Sequence, residues 1–135
     1  MKLAICIEKS GGVLFGGRRV SQDRVLREKL LSLVGNNAAL IMTPYSAKQF
    51  EEMDAIVCDE NPLCIAKEND ICFLENTVES FDNISTVYLF QWNRSYPADT
   101  FLEFVPQDLG FKKISSENFE GSSHPKITLT VYERK

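Results

Sequence analysis

Five short apolar runs, separated by helix signals, occupy the first ninety residues, and this alternation limits the fold more than any other feature. Residues 3–7 read as a buried strand, 38–42 as a second, 55–58 as a third, 71–74 as a fourth and 86–90 as a fifth. Between them, Ser21 can cap a helix over about 22–34, whose apolar residues Val25, Leu26, Leu30, Leu33 and Val34 fall on one stripe and which Gly35 stops. Ser46 can cap a short helix carrying Phe50 and Met53, Asn61-Pro62 has the form of a cap followed by proline in the first turn, and 77–84 reads as helical. After Pro97 the pattern turns β-rich, with strands predicted over 111–115 and 127–132, the second alternating as a strand with one wet face. Strand–helix alternation closed by a hairpin predicts a single α/β domain over 1–135, a three-layer α/β/α arrangement with a mostly parallel mixed sheet and an antiparallel C-terminal edge.

The chain of 135 residues is long enough for one core burying about two-thirds of its unfolded surface. A net charge of -4 argues against non-specific binding to nucleic acid or an anionic membrane, either of which needs a basic excess. No apolar run approaches the ~20 residues that span a bilayer, and the amino terminus is charged too soon for a signal peptide. Cys6, Cys58, Cys64 and Cys72 lie among apolar neighbours without a Cys-x-x-Cys pair, which predicts buried reduced thiols, a cytoplasmic location and no metal site.

Four segments carry polar chemistry. Phe15-Gly16-Gly17-Arg18-Arg19 places flexible backbone and two forked donors just ahead of a helix start, where a phosphate or carboxylate can dock; a hairpin turn with solvated arginines is the plainer reading. Asp23, in the first turn of that helix, either serves the helix dipole and pairs with Arg27, or faces a pocket and relays a proton. Trp92-Asn93-Arg94 leaves the fifth strand at its carboxyl end, where ligands of open α/β sheets bind; Trp92 can stack on a planar ring and Asn93 and Arg94 can make polar contacts, or the segment packs under a loop with Asp99 pairing Arg94. Ser122-Ser123-His124-Pro125 holds the only histidine, as a proton carrier or within a solvent-facing turn.

These residues, in this order, resemble a shortened dihydrofolate reductase. The likeness rests on residues 3–7, the glycine-bearing loop 11–17 and Asp23, then Ala39-Leu40-Ile41-Met42, Asp99-Thr100-Phe101, Gly110-Phe111 and the ending Val131-Tyr132-Glu133-Arg134. It implies that family's topology and places Asp23 where its substrate-binding acid sits. Glu75-Asn76 stands where the family has the Gly-Gly that admits a cofactor pyrophosphate, and a carboxylate there repels a diphosphate. The arginine expected after the second strand is missing from Thr43-Pro44-Tyr45-Ser46. The sequence is also similar to a set of short bacterial proteins sharing Gly-Arg-Arg, Trp-Asn-Arg-x-Tyr-Pro-Ala-Asp and Ser-His-x-Lys-Ile-Thr segments. The name ribonuclease Z is used for some of them, but one histidine cannot build that enzyme's two-zinc cluster.

Three functions follow as expectations. The first is a small-molecule-binding protein whose anion-holding pocket gathers Arg18, Arg19, Trp92, Asn93 and Arg94, with Asp23 or His124 moving a proton. The second is a non-catalytic regulatory or partner-binding module that has lost the cofactor site. The third is an NADPH-dependent pterin or nucleotide reductase. No cofactor is assigned and no oligomeric state is implied.

Overall fold

The structure is a computed structural model, and it describes residues 1–50 and 56–135. The chain runs β1 (Lys2–Ile7), β2 (Gly12–Phe15), β3 (Arg18–Arg19), α1 (Arg24–Ser32), β4 (Leu40–Met42), α2 (Pro44–Ala47), a 3-10 turn (Lys48–Phe50), β5 (Ile56–Cys58) and α3 (Pro62–Ile65). It continues with β6 (Ile71–Leu74), β7 (Thr86–Gln91), β8 (Thr100–Phe101), β9 (Phe111–Phe119) and β10 (Ile127–Arg134). Seven of these strands form one sheet in the order β5-β4-β6-β1-β7-β10-β9, and β3-β2-β8 form a small second sheet. β1 pairs in parallel with both β6 and β7, and β4 in parallel with β5 and β6. β10 runs antiparallel to β7 and to β9. The expected mixed sheet with an antiparallel C-terminal edge is present.

Strand alternation divides the core in two. Ala4, Ile71, Phe73, Phe90, Ile127 and Leu129 face one side, where Leu26 and Leu30 of α1 and Phe50 pack on them. Leu3, Ile5, Val87 and Leu89 face the other, covered by Leu63 of α3 and by irregular chain bearing Phe81, Ile84 and Phe104. Each fully buried leucine or phenylalanine removes enough apolar surface to contribute roughly 1.5–3 kcal/mol.

Several local expectations are corrected. α1 begins at Arg24, and its cap is Asp23, whose carboxylate accepts from Val25 N and Leu26 N, so Ser21 lies outside the helix. Thr43, not Ser46, caps α2, its hydroxyl accepting from Ser46 N at 3.2 Å. Met53 and Ala55 lie outside the described residues. Residues 77–84 are turns and bends, not helix. Their short polar side chains satisfy the backbone locally, with Thr77 N donating to Asn76 Oδ1 at 2.7 Å and Asp82 N to Ser80 Oγ at 3.2 Å, which competes with helical bonding. β9 and β10 extend four and two residues beyond the predicted strands, to Phe119 and Arg134.

The four thiols are unpaired, but only Cys72 is buried. Cys6 is half-buried, whereas Cys58 on edge strand β5 and Cys64 on the outer side of α3 are exposed. Among the described residues no helix is long and apolar enough to cross a membrane.

Candidate functional site

The polar groups of greatest interest meet beyond the carboxyl ends of β1 and β7, the position where open α/β sheets bind ligands. Local chain chemistry builds the site. The buried carboxylate of Glu8, just past β1, accepts from Ser10 N and Gly12 N, each at 2.8 Å, from the Ser10 hydroxyl, and from Tyr96 N at 3.3 Å. Burial alone would raise that carboxyl; the Ser10 hydroxyl and the Gly12, Tyr96 and Ser10 amides outweigh it and hold the pKa below the ordinary value. Asn93 adopts φ 58, a left-handed conformation that asparagine tolerates, and donates from Nδ2 to Lys126 O and Thr128 Oγ1. Lys9 N donates to Arg94 O at 2.9 Å. The segment after β7 is thereby clamped between the end of β1 and the start of β10, which fixes Trp92 and Tyr96.

His124 lies at the centre, 3% exposed. Its Nδ1 is 2.8 Å from Asp23 Oδ2, and its Nε2 is 2.8 Å from Ser21 Oγ and 2.9 Å from the Tyr96 hydroxyl. The Trp92 ring stacks on the imidazole at 4.5 Å between centroids. Asp23 also accepts from Ser122 N at 3.0 Å and Ser123 N at 2.9 Å, so the 121–123 turn wraps its carboxylate from the side opposite α1. Burial would raise this carboxyl too, but the His124 hydrogen bond and the Ser123, Ser122 and Leu26 amides together hold it far below the ordinary carboxylate range.

A carboxylate only accepts, so Nδ1 carries the shared hydrogen, and a ring bearing that hydrogen alone presents its Nε2 lone pair to Ser21 and Tyr96. Two hydroxyls compete for that lone pair, and one donates to it at a time. When Tyr96 donates to it, Ser21 Oγ can donate to the Tyr96 hydroxyl at 3.4 Å. The Trp92 indole N–H, also buried, has no hydrogen-bond partner among the described residues. Asp23 fixes the ring, Nε2 accepts a proton, and Ser21 and Tyr96, both half-buried, form the outward face.

The six other candidates from sequence separate into four groups. Trp92 joins His124 and Asp23 in the cluster. Arg94 is exposed, with its guanidinium 5.9 Å from the centre of the Tyr96 ring, at the rim. Asn93 is spent on holding β10, and Asp99 accepts from Gly16 N and Thr100 Oγ1 rather than pairing Arg94. Arg18 and Arg19 do not reach the cluster by any contact described. Gly16 (φ 59) and Gly17 (φ 75) form the two-residue turn of the β2–β3 hairpin, a conformation needing positive φ at both positions. Arg18 is exposed beside that turn. Arg19 donates to Glu75 Oε2 at 2.8 Å and to Tyr45 O at 3.2 Å, and lies over the Tyr45 ring at 4.4 Å. The amides at the start of α1 are taken by Asp23 and by Ser122 Oγ, so the expected anion dock there is filled by the chain itself. Asp23 pairs with His124 rather than Arg27.

Ser21 and Tyr96 are functional candidates that sequence reasoning missed. Ser21 reads as a helix cap only while Asp23 is placed inside the helix; with Asp23 as the cap, the Ser21 hydroxyl is released. Tyr96 carries no local signal, since its role comes from Glu8, eighty-eight residues away.

No protein-family model matches this sequence, and no curated protein matches it. A solved structure of dihydrofolate reductase from Enterococcus faecalis, complexed with NADP(H) and RAB-propyl, aligns with a TM-score of 0.67 at 13% identity, covering 100% of this chain and 96% of that one. The fold is that of dihydrofolate reductase. The topology expected from the short motifs is therefore correct.

A dinucleotide fits this version of the dihydrofolate reductase fold poorly. At the end of β6 the Glu75 carboxylate is held by Arg19 Nε and by Gln49 Nε2 at 2.9 Å. A cleft of about 570 Å³ opens beyond β4 and β6, and its polar lining includes Thr43, Glu60, Asn61, Asn76 and Glu79, with no lysine or arginine side chain among the described residues. Two carboxylates against a single cation, the Met1 ammonium that donates to Asn83 O at 3.3 Å, disfavour a diphosphate.

Proposed function

We propose that this protein is a cytoplasmic small-molecule-binding protein that uses the dihydrofolate reductase scaffold without its dinucleotide. The ligand is an anionic small molecule met by the Ser21 and Tyr96 hydroxyls, with Arg94 at the rim as its charge partner and His124, oriented by Asp23, as the proton acceptor. One observation carries the reading: two half-buried hydroxyls converge on a single imidazole nitrogen at 2.8 and 2.9 Å, on the reachable side of a ring whose other nitrogen is held by a buried carboxylate. Four unpaired thiols suit a reducing compartment.

Thermal-shift measurements against small carboxylates, phosphorylated metabolites, folates and NADPH test it. A hundredfold excess over the dissociation constant adds about 2.7 kcal/mol of stability. The reading expects stabilisation by a small anion that is lost in Arg94→Ala and Tyr96→Phe. Stabilisation by NADPH alone would favour a reductase instead.

A partner-binding module remains the second reading because Phe15 and Phe101 on the small sheet are 53% and 45% exposed. A stable complex recovered by pull-down and lost in a Phe15→Ser, Phe101→Ser protein, with no small-molecule response, would support it.

A further inference from the structure

We propose that Ser21 is a nucleophile activated by the Asp23–His124 pair, and that the site transfers acyl groups from small carboxylic esters bearing a negative charge. The proposal rests on the ligand position given above and assigns it a reaction. Acid, imidazole and hydroxyl stand in series, Asp23 Oδ2 to Nδ1 at 2.8 Å and Nε2 to Ser21 Oγ at 2.8 Å, the arrangement by which an imidazole removes a hydroxyl proton. Such a constellation is recognised by geometry and roles, and it recurs on unrelated folds in any chain order. The acid and the imidazole are nearly inaccessible, with side chains 0% and 2% exposed, whereas Ser21 is half-buried and lies on the reachable side.

Two further observations fit a reacting centre. The Tyr96 hydroxyl, which accepts from Ser21 Oγ at 3.4 Å, stands beside the atom that attacks and can turn its own hydrogen toward a developing oxyanion. The Trp92 indole N–H, without a partner among the described residues, belongs to the ring stacked on His124, and a buried donor without an acceptor is a group that a ligand oxygen complements.

The chemistry balances within these groups. Ser21 Oγ forms a bond to the ester carbonyl carbon while its proton moves to His124 Nε2, and the resulting imidazolium faces the Asp23 carboxylate. Tyr96 donates to the oxygen that becomes negative. The carbon–oxygen bond to the alcohol breaks, and Nε2 returns the proton to the departing alcohol. Water then attacks the acyl-serine, giving its proton to Nε2, which passes it to Ser21 Oγ as the acid leaves. The sum is ester plus water to acid plus alcohol, with no oxidant or cofactor.

A fluorophosphonate probe followed by peptide mass spectrometry tests the nucleophile. The expected result is one adduct, on Ser21, absent in Ser21→Ala and formed on the order of a thousandfold more slowly in Asp23→Asn. Because Asp23 also caps α1, the wild-type pH profile provides an independent readout: labelling must rise through one ionisation that Tyr96→Phe retains. No adduct on the folded protein, an adduct on another residue, or a flat pH profile overturns the proposal. Hydrolysis of 4-nitrophenyl acetate and of the 4-nitrophenyl half-ester of succinic acid separates it from the binding reading. Faster turnover of the half-ester, with the preference lost in Arg94→Ala, supports both; equal rates with Ser21 still labelled remove the anion partner and leave the nucleophile.

Discussion

Gly121 lies directly against the carboxylate of Asp23: a β-carbon added there would sit 2.4 Å from Oδ2 and 2.8 Å from Cγ. The turn that delivers Ser122 N, Ser123 N and His124 to this carboxylate closes only because position 121 has no side chain. Gly121→Ala is expected to destabilise the fold by about 1–3 kcal/mol, as for other overpacked sites, read from urea denaturation midpoints. Gly35→Ala, where nothing lies within 4 Å, is the control and should stay neutral or gain slightly.

Asp23, Glu8 and Asp70 all have carboxyls held below their ordinary values in the folded state. For Asp70 the first cause is its hydrogen bond from Lys67 N. Each binds protons less readily folded than unfolded, so its contribution is complete above the ordinary carboxylate pKa of about 4 and is lost as pH falls through the folded value. Stability measured between pH 7 and pH 2 should therefore be level at first and fall below about pH 4. In Asp23→Asn or Glu8→Gln the neutral-pH stability should be lower and the acid slope shallower. An unchanged slope in both would remove these carboxylates from the acid response.

The Arg19–Glu75 pair ties the β2–β3 hairpin to the end of β6, with side chains only 19% and 8% exposed. Removing Arg19 leaves a partly buried carboxylate with Gln49 as its remaining side-chain donor, and Arg19→Met is expected to cost roughly 1–3 kcal/mol. A double-mutant cycle with Glu75→Gln should return a coupling of about 0.5–3 kcal/mol. Additive single effects would show that the hairpin is held by Tyr45 instead.

Thiol titration separates the cysteines. Burial, with the Glu75 charge adding to it, pushes the Cys6 thiol well above its ordinary range, and burial with Asp70 pushes Cys72 to about 11. Native protein should release colour from Ellman's reagent rapidly at Cys58 and Cys64 and slowly at Cys6 and Cys72, until urea unfolds the chain. Rapid reaction of all four would contradict the packing on both sheet faces.

The strands were legible because side-chain patterning is a local signal: the continuous apolar run at 71–74 marks a strand covered on both faces, and the alternation from Ile127 marks one with a wetter face. Residues 77–84 read as helix but form turns, because the Asn76 and Ser80 side chains capture nearby amides. Asp23 and His124 were both legible as candidates, but their meeting was not, since a separation of 101 residues leaves no pattern in the letters. The expected gathering of both arginines failed for a related reason. Arg19 found Glu75, a partner that the sequence presented only as an obstacle to a diphosphate.

Asp23 has two employers: it caps the start of α1 and it receives the imidazole delivered by the turn ahead of β10. During synthesis on the ribosome, α1 emerges about a hundred residues before that imidazole. Until then the carboxylate has only its helix amides, and the slot between β7 and β9 is empty because β10 fills it. Any nascent chain ending before His124 therefore exposes the unpaired backbone N–H and C=O groups along the edge of β7, and a chaperone that recognises unpaired strands should hold such truncated chains and release those that have completed β10.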